Sequence, residues 1–313
     1  MSTQTDIIDR LGPASRVVIV RLRSLGDCVL TTPALHLLKQ ARPDLEIAVV
    51  AEDRFAPVFG NHPAVSRILS PNAGAVRDFA PALCLNFHGG SRGARLTLLS
   101  GARCRAGFDI FRPAWIYNTP IPTAQKILGI SRRVHTAEHM ASAIFYFGVP
   151  VTEVPRASLH APPGRAKSAP LGPYAVIHPT AAIPEKTWPA HRFLELARFI
   201  QASLELEPVF IGGPADDLSA FQPWRTISAA PLGEIMGLMR DASFFAGNDS
   251  GPAHIAAAFG VPQIVLFGPS DAVVWAPWRT PSEILQADGP IHTITIDRAI
   301  QAVSRLPVTV RAS

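Results

Sequence analysis

The feature that most constrains this chain is an alternation of short apolar runs with helix-like stretches, interrupted once by proline and then begun again. Residues 149–173 hold six prolines (Pro150, Pro155, Pro162, Pro163, Pro170 and Pro173) and little hydrophobic periodicity. Such composition marks an inter-domain linker. Before it, β-branched runs at 16–21, 47–51, 65–69 and 82–87 read as strands, with shorter ones at 103–108 and 115–118. Helices are expected at 29–38, with Pro33 in its early part, and at 54–60, 92–99 and 136–147. After it, strands are expected at 174–178, 208–211 and 263–267, with a short one starting at Phe244, and helices at 191–203, 232–240 and 297–306, with an Ala-rich one beginning near Ser250 and stopped near Gly260. Runs rich in Val, Ile and Phe, without polar alternation, are those of parallel strands buried on both faces. The expectation is α/β: two doubly wound Rossmann-like domains facing across a cleft, with boundaries at 1–162 and 163–313. The last helix is a candidate to pack back toward the N-terminal domain.

Composition narrows the class. The chain is 48% hydrophobic and 17% charged, which suits a well-cored globular protein. No apolar run reaches the roughly 18 residues of a membrane span, and residues 1–16 lack the apolar core of a signal peptide. Three widely spaced cysteines, Cys28, Cys84 and Cys104, have no metal-ligand spacing and read as reduced thiols of a cytosolic protein. Charge is uneven. Residues 1–160 carry 18 Lys and Arg against 11 acids, and the remainder 11 against 13. Between Asp78 and Glu138 the only acid is Asp109, against eight bases. A basic half of this kind draws an anionic partner. The segment has no nucleic-acid motif or interleaved aromatic residues, so nucleic acid is not expected.

Chemistry-bearing residues gather in four strand-to-helix turns, where α/β proteins bind ligands. The first, Arg23-Ser24-Leu25-Gly26-Asp27, offers a carboxylate that can serve as a general base or equally as a helix cap. The second runs from His178 to Pro189. Thr180 and Ala181 expose backbone there, and Lys186 offers a cation for phosphate, although the P-loop pattern is absent. The third, Gly212-Gly213-Pro214-Ala215-Asp216-Asp217, offers acids for ribose hydroxyls. The fourth is Asn248-Asp249-Ser250-Gly251-Pro252-Ala253-His254. It opens a helix whose free N–H groups and positive dipole end favour phosphate, with Asp249 or Ser250 as its cap. Three of these turns fall after the linker, which points to a nucleotide-diphosphate site there. No GxGxxG fingerprint is present, so an NAD enzyme is not expected. His178, His254 and Asp249 lack the spacing of a metal site.

Gly26-Asp27, Lys186-Thr187-Trp188-Pro189, and Asn248 to His254 followed by Phe267-Gly268-Pro269 together resemble family 9 glycosyltransferases, the ADP-heptose:lipopolysaccharide heptosyltransferases. The likeness runs in order over nearly the whole chain. It implies a GT-B architecture, with an N-terminal acceptor domain and a C-terminal donor domain. It also implies metal-independent, inverting transfer of heptose from ADP-heptose to the inner core of lipopolysaccharide, with no cofactor. By position, Asp27 is similar to the family's catalytic base, and Lys186, with Thr180 and Ala181 before it, to its phosphate-binding loop. Asp249, Ser250, Gly251 and His254 match its diphosphate and sugar turn, and Asp216 falls near its ribose site. Some lipopolysaccharide heptosyltransferases have hydroxyl residues before that lysine, where this loop has Ala181-Ala182-Ile183-Pro184. A GT-B enzyme using another nucleotide sugar, an epimerase, or a non-catalytic binder of nucleotide or glycan stand as alternatives. Arg92, Arg95, Arg103, Arg105 and Arg112 are the candidate acceptor ligands for an anionic, lipid-linked saccharide, with peripheral contact at the inner membrane surface.

Overall fold

A computed structural model describes residues 5–308 of the chain. It divides into two compact units between His160 and Ala161. The first unit holds strands β1 (Arg16–Val20), β2 (Glu46–Val50), β3 (Arg67–Leu69), β4 (Leu83–Asn86), β5 (Cys104–Phe108) and β6 (Thr119–Ile121). The second holds β7 (Tyr174–His178), β8 (Glu207–Gly212), β9 (Arg225–Ser228), β10 (Phe244–Asn248), β11 (Gln263–Phe267) and β12 (Ser282–Gln286). All pairings are parallel, in the orders β3-β2-β1-β4-β5-β6 and β12-β11-β10-β7-β8-β9. Counted within each unit, both read 3-2-1-4-5-6, the order of the Rossmann fold. Every residue of β7, β10 and β11 is buried, as sheets covered on both faces require.

Several local expectations are corrected. The first long helix spans Leu25–Ala41, so it begins four residues earlier than its apolar pattern suggests and holds Pro33 in its middle. Proline at that point removes a backbone donor. The Thr32 hydroxyl instead bonds the Val29 carbonyl, at 2.8 Å. The strand expected over 115–118 is a 3₁₀ turn, Ala114–Ile116, and the strand follows at Thr119–Ile121. The expected helix over 54–60 is a 3₁₀ turn at Asp53–Val58. β9, β12 and the short Ala73–Asp78 and Ala124–Leu128 helices carry too little periodicity to be read in advance. The final helix, Ile296–Arg305, buries Ala299, Ala302 and Val303 in the core of its own unit, beside Phe193, Leu196 and Ile264.

Cys28 and Cys84 are buried, and burial pushes both thiols up to about 12. Among the described residues no helix is long and apolar enough to cross a membrane.

Candidate functional site

The 3-2-1-4-5-6 order reverses between β1 and β4 in the first unit, and between β7 and β10 in the second. Adjacent loops diverge at such a point and leave room for a ligand at the carboxyl edge. Most of the candidate residues stand at these two places.

In the first unit, β1 runs into Arg21, and the next helix begins after Ser24. Asp27 is the third residue of that helix rather than part of a free turn. Its Oδ2 accepts from the Ser24 hydroxyl at 3.0 Å and from the Ser24 N–H at 3.4 Å, which makes a capping box. Its other oxygen lies 3.6 Å from Nη1 of Arg21. Arg21 is only 3% exposed, donating through Nε to Thr31 and through Nη2 to the Met140 sulfur. Burial pulls the Arg21 pKa down and the Asp27 charge opposes the shift. A guanidinium stays protonated regardless, so Asp27 is held beside a fixed buried cation.

The end of β4 completes this edge. Buried Asn86 donates to the Tyr117 hydroxyl at 2.9 Å and accepts the N–H groups of His88 and Gly89. This amide shapes the turn that presents His88. The His88 ring is half-buried, and burial together with Arg21 lowers its pKa. His88, Asn86 and Arg21 were not among the expected site residues. An asparagine closing an apolar strand, as in Leu-Cys-Leu-Asn, is the sequence signal that could have found this turn.

The five candidate acceptor arginines separate by strand polarity. Arg92 and Arg95 lie on the Gly90–Leu99 helix, which leaves the carboxyl end of β4; Arg92 pairs with Glu52 at 2.9 Å and Arg95 is exposed. Arg112 follows β5 and braces its own loop through the carbonyls of Asp109 and Phe111. Arg103 precedes β5 and Arg105 is its second residue, so both sit near the amino edge, opposite Asp27. Arg105 also donates Nε to the Ile116 carbonyl at 2.9 Å.

In the second unit the expected residues converge. Lys186 Nζ donates to Asp249 Oδ2 at 2.8 Å, and the Asp249 side chain is only 8% exposed. Lys186 rides a 3₁₀ turn, Pro184–Lys186, held from both sides. Trp188, fully buried, donates its backbone N–H to Asn248 Oδ1 and its indole N–H to the Ile294 carbonyl. The same Asn248 donates to the carbonyls of Pro179 and Thr180. Beneath the loop lies Gly268, where a Cβ would meet the Glu185 carbonyl oxygen at 2.5 Å. Trp188 and Gly268 therefore act as structural supports that fix where Lys186 stands.

A hydrogen-bond chain crosses the ends of β8, β7 and β10. Asp216 Oδ2 accepts from the Gly213 N–H at 2.7 Å and from the Thr180 hydroxyl at 2.9 Å. Thr180 Oγ1 lies 3.2 Å from His178 Nε2, and His178 Nδ1 lies 2.9 Å from Ser250 Oγ. Asp216, expected near ribose, thus directs one oxygen inward to brace its own loop. Ser250 occupies the N-cap position of the Gly251–Ala258 helix, yet its side chain makes no cap bond there. His178 is 8% exposed, and desolvation lowers its pKa to about 4, so its ring is neutral at pH 7. Ala181 is half-buried, and His254 is buried within the helix at 4% exposure. Among the described residues, no group of three or more His, Cys, Asp or Glu could hold a metal ion.

Residues 82–294 match the model of glycosyltransferase family 9 (heptosyltransferase). The chain belongs to that family. A relative, lipopolysaccharide heptosyltransferase 3 of Escherichia coli, is 27% identical over 299 residues, covering 82% of this chain and 84% of the relative. Among solved structures, the family 9 glycosyltransferase of Veillonella parvula superposes with a TM-score of 0.80 at 22% identity, covering 93% of this chain and 97% of that one. E. coli ADP-heptose lps heptosyltransferase II gives 0.76 at 18% identity, with 93% and 97% covered. The family 9 chain is accordingly a glycosyltransferase of GT-B architecture, with a Rossmann-like sheet in each unit.

Proposed function

We propose that this enzyme transfers heptose from ADP-heptose to the inner core of lipopolysaccharide, with inversion and without a metal. The observation that carries this reading is the convergence of Lys186, Asp249, Ser250 and Gly251 at the β7–β10 edge. There a lysine and an uncapped helix terminus supply positive charge and N–H donors suited to a diphosphate. The second unit is the donor side, and the first, with Asp27 and the basic helix, the acceptor side.

In the reaction Asp27 takes the proton of the acceptor hydroxyl. The oxygen forms a bond to the anomeric carbon as the bond from that carbon to the diphosphate oxygen breaks, and ADP leaves with the electron pair. Lys186 and the Gly251–Ala258 helix offset the charge that develops on the leaving group. Arg21 holds the Asp27 carboxylate in place through its charge, and the Ser24 capping box fixes the side chain's direction. Arg92, Arg95 and Arg112 provide the field that draws an anionic saccharide. Trp115 and Ile110, 71% and 60% exposed in the loop that carries Arg112, are the apolar groups that would touch an anionic membrane surface.

The deciding experiment incubates the protein with ADP-heptose and a panel of other nucleotide sugars, with and without deacylated core acceptor, and follows release of nucleoside diphosphate. Acceptor-dependent ADP release from ADP-heptose, persisting in excess EDTA, is expected. Turnover of a different nucleotide sugar alone, or recovery only with added Mg²⁺, overturns the substrate or the metal-free step respectively. Co-sedimentation with vesicles containing anionic lipid, but not with neutral ones, tests the membrane contact.

A further inference from the structure

The carboxyl edge of the first sheet carries a second polar ring besides His88. β1, β4 and β5 are neighbours there: β1 runs out into Arg21, β4 into Phe87 and His88, and β5 ends on Phe108. His139, on the Thr136–Tyr146 helix, lies flat on Phe108, with ring centroids 3.9 Å apart and planes 22° from parallel. Phe108 is itself fixed, stacked on Phe87 and met edge-on by Phe111. Met140, the residue after His139, accepts from Nη2 of Arg21, whose Nη1 faces Asp27. His139 thus stands on the same edge as the Asp27 carboxylate. Its ring is partly exposed. Among the described residues neither ring nitrogen has a hydrogen-bond partner, and neither is closed off from solvent. A ring that served only to cover Phe108 would be better as phenylalanine, because unpaired polar nitrogens in a largely desolvated place cost stability. Burial, joined by the charge of Arg21, lowers the His139 pKa to about 4, so the ring is neutral at pH 7. A neutral imidazole offers one donor and one acceptor, which complements a sugar hydroxyl. An imidazolium would instead set a second cation beside Arg21 and weaken Asp27 as a base.

We propose that His139 binds a neutral hydroxyl of the acceptor sugar, near the hydroxyl that Asp27 deprotonates, and is a specificity-determining residue of the acceptor site. The arginines of this unit draw the acceptor's anionic groups; His139 reads the uncharged part of the sugar. Phe108 sets the plane of the ring, and the packing of its helix on the Leu25–Ala41 helix, which carries Asp27, sets its position. His88 is less free for this task, because its Nδ1 is buried without a partner. A contact of this kind is made before and during the reaction alike, so its loss falls on acceptor KM rather than on kcat.

This inference rests on the acceptor-side reading of the first unit, and the test follows transfer by the full chain to deacylated core acceptor and to analogues each lacking one hydroxyl. His139→Phe keeps a ring on Phe108 and removes only the nitrogens, so melting temperature and ADP affinity should be retained. Acceptor KM is expected to rise about three- to tenfold, the size of one neutral hydrogen bond, with kcat little changed. His139→Gln, whose amide again offers a donor and an acceptor, recovers part of the loss. With one of the analogues H139F and the unmodified protein share the same KM, because the hydroxyl that His139 binds is already gone. An unaltered acceptor KM in H139F, or an additive loss with every analogue, overturns the proposal. Should H139F fail to fold, H139L carries the same comparison. Absence of acceptor-dependent transfer by the unmodified protein overturns the acceptor-side reading, and this inference with it.

Discussion

The two units share one strand order and one device for opening a site, yet fill it with opposite chemistry. Each ends its fourth strand in a fully buried asparagine, Asn86 or Asn248, whose amide shapes the neighbouring turn. In the first unit the space beside it holds a buried guanidinium, Arg21, against Asp27. In the second it holds a chain of histidine and hydroxyls anchored on Asp216, with the Lys186–Asp249 pair at its border. A carboxylate fixed by a permanent cation suits proton transfer at one defined point. A hydrogen-bonded scaffold beside a lysine suits a highly charged ligand. The same backbone topology thus carries two differently built edges, and the difference lies in a handful of side chains.

The largest expected effect breaks the first unit's chemistry and leaves the second's binding untouched. Asp27→Asn should lower transfer by about 10²- to 10⁴-fold, as loss of a positioned base does, while calorimetric ADP affinity is retained. Near-normal turnover would leave Asp27 with its capping role only.

The second effect is one of stability. Burial lowers His62 in the first unit and His178 in the second to about 4. Below the unfolded value of about 6.5 the unfolded chain binds protons that these native rings refuse. Stability should therefore fall as pH drops from about 6.5 to about 4, by up to about 3 kcal/mol for each ring. Denaturant unfolding across that range checks this, and His178→Phe should flatten the second unit's share. An unchanged slope in that variant would remove His178 from the account.

Third, Lys186→Ala should weaken ADP binding by about ten- to a hundredfold, since a charge-assisted contact is lost. Asp249 is then left buried without its cation, so K186A/D249N should bind ADP better than K186A alone. Equal affinities would mean that the ion pair does not face the ligand.

The smallest effect separates arginines within the first unit. Arg95→Ala should raise the acceptor KM a few-fold and reduce its dependence on salt, because exposed charges are screened over about 8 Å at physiological ionic strength. Arg105→Ala should leave the acceptor KM unchanged and lower the melting temperature instead, through loss of its bond to the Ile116 carbonyl. A reversal of these two results would undo the division by strand polarity.

The parallel α/β class, the proline-rich interruption and the positions of Tyr174–His178 and Gln263–Phe267 were legible in the chain itself. So were the turns carrying Lys186 and Ser250. Such features are local: buried parallel strands are runs of Val, Ile and Phe, and glycine, proline and small polar residues mark the turns between them. What the tertiary structure alone decided is pairing over distance. Strand order placed the β1–β4 and β7–β10 edges as the open points, and strand polarity sent Arg103 and Arg105 to the far edge although they lie close in sequence to Arg95. His178 meets Ser250 only because β7 and β10 are neighbours, and Asp216 turns toward Thr180 only because β8 lies beside β7. No pattern of a few residues can encode such contacts, because they form when hydrophobic burial brings separate strands into one sheet.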